Sequence, residues 1–510
     1  MAPFWILVLL MASVVHGAKI LFYVPTLSYS HVAFNSKVAD LLAARGHNVT
    51  MLIARIDPAV RTHVAQMATV RTISLPNLKD GVLANTLWRN PGPFDDSSPL
   101  NPKITSKLFR VASIFIDACR VQATDLNLAS ELAEQRFDVG VVEQYDSCGF
   151  GVFEALGLKN IVWLSATGVF RPQPHVLGVE HPLSYVPELF GFFDDSMNFF
   201  QRLQNYLIAQ ATGQIHGLYS RSQETQAFRK AYKKRKRNFP DLLDVSQSTD
   251  TVLVNSLPLI DFPMPTSSEI HGIGGITVEK EAPPLMSEWQ EIADHASGGF
   301  WLVTFGSIAK TSDMPSKMRK SLFNAFSQFS NFTFIVKYET LNSTTLQIAP
   351  NVIFTKWIPQ LSLMAHPNYH GIITHGGWSS ILESLVFKKP MILMPLFADH
   401  TKNSKIIEQK KLGLIVDKMR IREDTFVAAI RTLTADERYY RNCARYSAML
   451  GDSMPISVDD LIVHKFTNSI KPTRRKFERH PFQKDLSYVQ ENYIDLCSIF
   501  VVVLLYLSLC

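Results

Sequence analysis

Cysteine is scarce in this chain. Five residues in 510 (Cys119, Cys148, Cys443, Cys497 and Cys510) are too few and too scattered for a disulfide framework or a zinc site. Charge is sparse as well: 19% of residues are charged against 46% hydrophobic, which excludes a disordered chain and gives a globular one long enough for two ordinary domains. The net charge of +6 is held in a few places, chiefly Lys233-Lys234-Arg235-Lys236-Arg237, without the repeated basic and aromatic pattern of a nucleic-acid binder. That run reads as a solvated helix face. No internal repeat or low-complexity block is present. The apolar tail from Leu496 to Cys510 falls short of the ~20 residues that cross a bilayer, so it reads as a truncated span, a short tilted one extended back through Tyr493 and Ile494, or an interfacial anchor.

At the other end, Met1 to Gly17 has the form of a signal peptide: an apolar core from Phe4 to Val15, then small residues before a cut at Ala18, although the first residues lack a positive side chain. Sequons at Asn48, Asn331 and Asn342 agree with a lumenal address in the endoplasmic reticulum, with the tail as membrane anchor.

Between these ends the chain is organised around Trp357 to His400. The apolar run Gly371 to Thr374 reads as a buried parallel strand, breaks at His375-Gly376-Gly377, and passes into a helical pattern at Ile381, Leu382, Leu385 and Val386. Glycines let the backbone approach a ligand, and the N–H groups of a helix start favour a phosphate. The expected guest is an anion. A second strand, Met391 to Met394, lies between Pro390 and Pro395 and delivers Phe397-Ala398-Asp399-His400 to the same sheet edge, where ligands of open α/β sheets bind.

The first half opens with a βαβ unit: strand Lys19 to Val24, a helix through Phe34, Val38, Leu41 and Leu42 with Ser30 as its N-cap, and strand Val49 to Ile53. His31 falls at the strand-to-helix junction, where a helix start disfavours the imidazolium and leaves the ring able to take a proton. From position alone a capping or packing histidine is the plainer reading. Pro76 to Arg110, rich in Asn, Pro, Asp and Ser, reads as a long loop over a cleft. Phe137 to Val142 is a further strand that ends in Glu143, and a carboxylate there can orient a base histidine; Asp146 is the rival, with an Asx turn as its plainer role. Further strands are expected at 160–165, 251–255, 300–305, 333–337, 352–356 and 414–416, with an exit strand near His271.

Trp357-x-Pro-Gln360, His366-Pro367, Thr374-His375-Gly376-Gly377, Glu383, Pro390, Pro395 and Phe397-x-Asp399 together resemble the signature of the UDP-glycosyltransferases, the UDP-glucuronosyltransferases and their invertebrate relatives. The resemblance implies two doubly wound, Rossmann-like α/β domains facing one another across a cleft, the GT-B arrangement, followed by a hydrophobic tail. The boundaries drawn on it are a signal peptide (1–17), an acceptor domain (18–278), a linker (279–285), a UDP-sugar domain (286–450), a C-terminal helix returning to the first domain (451–490) and the tail (494–510).

By the same resemblance, His31 deprotonates the acceptor hydroxyl and Glu143 supports it. Trp357 stacks on uracil, Gln360 hydrogen-bonds the base, and Glu383 takes the ribose, although Ser380-x-x-Glu383 also has the spacing of a capping box. Ser307, His375, Gly376 and Gly377 hold the diphosphate, and Asp399 with His400 grips the sugar. The family pattern is departed from at three places: Glu143 stands for aspartate, Ser379 for asparagine and His400 for glutamine. The implied function is inverting transfer of a glucosyl or glucuronosyl group from a UDP-sugar to a hydroxyl of a small lipophilic acceptor, as in detoxification, with no metal and no cofactor besides the UDP-sugar. Partners are the two substrates, the membrane through the tail and a second copy in a homo-oligomer; nucleic acid is not among them. The three departures motivate a second reading, a non-catalytic UDP-sugar-binding partner, and the shared architecture a third, a UDP-sugar epimerase.

Overall fold

The computed structural model describes residues 17–58, 60–75, 91–98, 101–143, 145–278, 281–340, 349–452, 456–470 and 498. The signal segment before Gly17 and the apolar tail other than Ser498 lie outside the described residues, as does Asn342. Among the described residues no helix is long and apolar enough to cross a membrane.

The first lobe runs β1 (Lys19–Pro25), α1 (Tyr29–Ala44), β2 (Asn48–Ala54), β3 (Thr69–Ile73), α2 (Pro102–Thr124), α3 (Leu126–Gln135), β4 (Val139–Glu143), α4 (Cys148–Leu156), β5 (Ile161–Ser165) and α5 (Pro172–Val176). It continues with α6 (Phe199–Gly213), a π-helical stretch (Gln214–Arg221), α7 (Ser222–Lys233), α8 (Leu242–Ser246), β6 (Thr249–Val254) and β7 (Ile270–Gly272). The second lobe is α9 (Ser287–His295), β8 (Phe300–Thr304), α10 (Ser316–Ser327), β9 (Thr333–Lys337), β10 (Val352–Thr355), α11 (Gln360–Met364), β11 (Tyr369–Thr374), α12 (Trp378–Val386), β12 (Met391–Leu393), α13 (His400–Gln409), β13 (Gly413–Ile415), α14 (Glu423–Ala435) and α15 (Arg438–Asp452). Helix α16 (Val458–Ile470) follows.

Each lobe holds one wholly parallel sheet, ordered β3-β2-β1-β4-β5-β6-β7 and β10-β9-β8-β11-β12-β13. Parallel strands are joined by crossovers that leave helices on both faces, so the strands are apolar on both sides. Strands β1, β4 and β5 accordingly read ILFYV, VGVV and IVWL, and separate hydrophobic clusters cover the two faces of each sheet. The strand order reverses between β1 and β4 in the first sheet and between β8 and β11 in the second, so the crevice for a ligand opens at the carboxyl ends of these pairs.

Several local expectations change. Ser30 lies inside α1, whose N-cap is Ser28 without a side-chain capping bond. The loop expected to run to Arg110 does not reach it: Asn101 Oδ1 accepts from Lys103 N at 3.0 Å and Pro102 occupies the first helical position, so α2 already occupies 102–110. Only Lys233 of the basic run belongs to a helix; Arg235 and Arg237 fold back over the Tyr232 ring at 5.1 and 5.7 Å. Cysteine spacing concealed a bond: Cys119 on α2 and Cys148 at the start of α4 form a disulfide with their Cα atoms 5.6 Å apart.

The lobes touch through defined contacts. Phe94, 5% exposed, leaves the first lobe to join the second core, edge-on to Phe305 at 5.8 Å. Lys418 Nζ donates to Pro93 O and Ser97 Oγ, both at 2.9 Å, and to Leu396 O. Helix α16 returns to the first lobe, stacking Phe466 on Phe22 at 6.5 Å.

The disulfide closes a segment whose ends are 29 residues apart, for which loop-closure entropy gives about 3–4 kcal/mol. Cys148→Ser should lower the free energy of unfolding in urea by that order and remove the sensitivity of the wild-type transition to reductant; coincident curves with and without thiol would show that the bond does not bear on stability.

Candidate active site

Two strand ends build the first half of the site. Strand β1 exits at Pro25 and α1 begins at Tyr29, so His31 sits in the first turn of α1, 7% exposed. The adjacent strand β4 ends at Glu143, wholly buried, and the His31 ring lies 3.0 Å from it between Nδ1 and Oε1. With Nδ1–H donating to the carboxylate, the tautomer is set and Nε2 keeps its lone pair. Tyr145 stacks on the imidazole at 4.2 Å, and Asn35 Nδ2 donates to His31 O at 2.9 Å, so both ring and backbone are held. Burial keeps the Tyr145 hydroxyl protonated far above its ordinary range.

Asp146 is not brought to His31. Its Oδ1 accepts from Cys148 N at 3.1 Å, and burial, then the neighbouring Glu224, raises its carboxyl well above the usual carboxylate range. Glu224 is itself held at about 7 by burial, while its Oε2 accepts from Ser147 N at 3.0 Å. This acid pair sits behind the β4 turn.

The second half lies at the β8 and β11 ends. Gly306 has φ +84°, and a Cβ there would stand 2.7 Å from His375 Nε2; a Cβ on Gly377 would stand 2.5 Å from the same atom. Glycine is required at both places because the imidazole occupies the side-chain space. A Cβ on Gly376, at φ +87°, would stand 2.6 Å from Ser404 Oγ and 2.9 Å from His400 O. Thr374 Oγ1 is 3.0 Å from His375 Nδ1. Burial, then His400, pushes His375 well below the usual imidazole range, so it is a neutral ring offering one N–H. Helix α12 starts immediately after, at Trp378, with Ser379 half-buried in its first turn; Ser307 is exposed in the turn after β8.

Trp357 is 66% exposed, unlike a core tryptophan, and its indole faces the Lys337 ammonium at 5.4 Å. Lys337 Nζ donates to Gly306 O at 2.6 Å, tying the indole platform to the glycine turn. Gln360 Nε2 donates to Glu383 Oε2 at 2.5 Å and to Ser380 Oγ at 3.1 Å. The capping-box alternative for Glu383 falls away, since α12 begins before Ser380 with Gly377 as its N-cap. Burial raises the Glu383 carboxyl to about 7.

Asp399, 8% exposed, caps α13, and Asn403 Nδ2 joins its Oδ2 at 2.7 Å to Gly376 O at 3.1 Å. One amide thus fixes the aspartate loop against the glycine turn. His400 packs edge-on against His375 at 4.4 Å, accepts from Phe397 N at 3.4 Å through Nδ1, and is lowered to about 3 by burial and then by Lys418. Sequence reasoning passed over Asn403, Lys337 and Tyr145, which are ordinary polar residues without a motif of their own; their proximity in sequence to Asp399, to the β9 end and to Glu143 was the available signal. Among the described residues no group of three or more His, Cys, Asp or Glu lies close enough to hold a metal ion. Of the sequon asparagines, Asn48 and Asn331 are exposed.

An oriented imidazole at one switch point, and a glycine turn with a helix start at the switch point of a second sheet, define a GT-B transferase that takes a nucleotide-activated sugar. Residues 18–509 match the family model described as "UDP-glucoronosyl and UDP-glucosyl transferase", and the chain belongs to that family. It is 25% identical to "Putative UDP-glucuronosyltransferase ugt-50" of Caenorhabditis elegans over 95% of this chain and 91% of that one. It is 28% identical to UDP-glucuronosyltransferase 3A1 of Xenopus laevis, over 89% and 85% respectively. Its fold is similar to that of the glycotransferase of kitacinnamycin (TM-score 0.59, 16% identity, 88% of this chain and 99% of that) and of the spinosyn forosaminyltransferase SpnP (TM-score 0.57, 14% identity, 89% and 100%). The protein is a glycosyltransferase with a UDP-sugar as donor and no further cofactor.

Glu383 supplies a pH test. A carboxyl held at about 7 in the fold, against about 4.5 when unfolded, binds its proton more tightly folded, so its contribution to stability is complete below about pH 4.5 and is lost as pH rises to about 7. The loss should reach about 3 kcal/mol. Glu383→Gln should flatten this part of the stability profile in urea titrations between pH 5 and 8; parallel profiles for wild type and variant would refute the assignment.

Proposed function

We propose that the enzyme transfers a hexosyl group, glucosyl or glucuronosyl, with inversion from the UDP-sugar to a hydroxyl of a small lipophilic acceptor. The observation that carries the proposal is the 3.0 Å contact of His31 Nδ1 with a fully buried Glu143 at the carboxyl edge of the first sheet. In this reading His31 Nε2 takes the acceptor proton as the oxygen bonds to the anomeric carbon. The bond from that carbon to the phosphate oxygen breaks, UDP leaves on the opposite face, and Glu143 stabilises the imidazolium. Charge on the leaving diphosphate is met by the His375 N–H, the backbone N–H groups at Gly376 and Gly377, and the α12 start; Ser307 and Ser379 flank it.

Uracil stacks on the open face of Trp357, as exposed aromatics do with other bases. Gln360 orients Glu383 toward the ribose hydroxyls and reaches the base edge. Asp399 and His400 grip the sugar. The non-catalytic alternative drew on the three departures, and the Glu143 contact weakens it, because the longer carboxylate reaches the imidazole. We place the catalytic lobes in the lumen of the endoplasmic reticulum, behind a signal peptide at 1–17 and anchored by the apolar tail, on the sequence features alone.

His31→Ala should lower kcat by roughly 10²–10⁴-fold while leaving the Kd for UDP near wild type. Glu143→Ala should act in the same direction and Asp146→Asn only weakly. The role of the base would pass elsewhere if His31→Ala kept more than a tenth of the wild-type rate at saturating substrate, or if Asp146→Asn proved the more damaging carboxyl variant. For location, the full chain should pellet with membranes in alkaline carbonate and gain gel mobility after endoglycosidase; a soluble protein of unchanged mobility would remove the lumenal, anchored placement.

A further inference from the structure

The loop that presents Asp399 carries backbone strain. Between the end of β12 at Leu393 and the start of α13 at His400 it passes through Ala398, whose φ of +52° lies in the left-handed region that favours glycine, directly before the aspartate. A carboxylate offered to a ligand from such a backbone keeps its place only if the loop is fixed on both sides. On the helix side Asn403 Nδ2 holds Asp399 Oδ2 at 2.7 Å. On the strand side the carbonyl of Leu396, three residues before Asp399, accepts from Lys418 Nζ.

Lys418 lies in the turn after β13 and is 7% exposed; burial lowers it to about 8, so near neutral pH it is an ammonium with three hydrogens. All three are used. One goes to Leu396 O, and the other two to Pro93 O and Ser97 Oγ of the first lobe, both at 2.9 Å. Every acceptor is neutral, while the carboxylates that favour the charge from a distance, Asp96, Asp95 and Asp417, are exposed. Hydrogen bonds from a charged donor are stronger than neutral ones, and here they bind two lobes and one loop to a single atom. The same ammonium stands close enough to His400 to disfavour the imidazolium there.

The first-lobe strap 91–98 that supplies two of the acceptors is itself anchored. Lys107 Nζ of α2 donates to Pro91 O at 2.7 Å, Gly92 N donates to Asp95 Oδ2 at 2.7 Å, and Asn101 Nδ2, at the α2 cap, donates to Asp96 O at 3.2 Å. Between these bonds Phe94 enters the second core beside Phe305. An unbroken chain of contacts therefore runs from α2 through the strap and Lys418 to the loop of Asp399.

We propose that Lys418 is a positioning residue for the transfer: by joining the 91–98 strap to Leu396 it sets where Asp399 meets the sugar. The acceptor lobe thereby fixes the reacting end of the donor, and none of the contacts assigned to uracil or ribose passes through Lys418. The inference rests on the proposed assignment of Asp399 to the sugar.

The test uses the whole protein, with UDP titrated at equilibrium and initial rates of UDP release measured from UDP-glucose and UDP-glucuronate at saturating 1-naphthol. For the donor that wild type uses faster, Lys418→Met should lower kcat/KM by roughly tenfold or more, with the Kd and stoichiometry of UDP within about twofold of wild type. In an Asp399→Asn background the same substitution should cost less than about threefold, because the aspartate it positions is already gone. Ser97→Ala, which removes one acceptor from the first-lobe side, should show the same pattern at roughly two- to fivefold. A wild-type kcat/KM in Lys418→Met overturns the proposal, and so does a loss that multiplies with that of Asp399→Asn or a UDP affinity weakened as much as kcat/KM. Should Lys418→Met fail to fold, Ser97→Ala and its combination with Asp399→Asn decide in the same way. An Asp399→Asn enzyme with the wild-type kcat/KM removes the sugar assignment and this role with it. Failure of the transferase reading shows separately, as no UDP release from either donor by a wild type that binds UDP.

Discussion

A carboxylate with no exposure to solvent must find a partner, and Glu143 has one in the His31 imidazole, 3.0 Å away. That contact requires β1 and β4 to be neighbours in space although more than a hundred residues separate them in the chain. It further requires the β1 exit to turn at once into a helix, and both strands to end at one edge of the sheet. The reversal of strand order between β1 and β4 supplies all three conditions. Everything outward from the pair serves to hold it: Tyr145 on the ring, Asn35 on the backbone, and the apolar strands beneath.

The second lobe repeats the arrangement with a different chemical purpose. Its switch point lies between β8 and β11, and the side chain that emerges is again a histidine, but His375 is wedged between two glycines, and burial with the His400 ring outweighs the nearby Asp399 and keeps it neutral. In the proposed reaction one imidazole receives a proton and the other donates a hydrogen bond. The difference follows from their partners, a carboxylate in one case and a threonine hydroxyl with a second neutral imidazole in the other.

Much of this was legible in the sequence because the physics behind it is local. Uninterrupted apolar runs mark strands covered on both faces, and His375-Gly376-Gly377 between such a run and a helical period marks a close backbone approach. Strand β3, Thr69-Val-Arg-Thr-Ile73, was not legible, since an edge strand half in solvent carries no such run. The Cys119–Cys148 bond was hidden because scarcity of cysteine excludes a framework but says nothing about one pair brought together by helix packing. Ser380 to Glu383 had the spacing of a capping box, yet the glycine turn starts the helix before Ser380 and frees the carboxylate for Gln360. Asn403 and Lys402 lie on α13 without any pattern, and only the folded helix shows that one stitches the donor loops while the other faces the opposite lobe.

The contacts between the lobes also limit how the cleft can change shape. Phe94 inserts beside Phe305, directly before the Gly306 turn, while Lys418 grips Pro93 and Ser97 on one side and Leu396 on the other, three residues before Asp399. The 91–98 segment of the first lobe therefore rests on the roots of both donor loops. Gln409, at the far end of α13, donates to Asp195 of the first lobe at 2.7 Å. Helix α13 is thus restrained at both ends, with Asp399 and Lys402 between the restraints on the face turned to β4 and β5. A movement that opened the cleft would have to withdraw an aromatic side chain from an apolar core and take Pro93 O and Ser97 Oγ from the Lys418 ammonium, both costly steps. The distance from the imidazole of the first lobe to the aspartate loop of the second is consequently set by packing, and substrate orientation falls to side chains already in place.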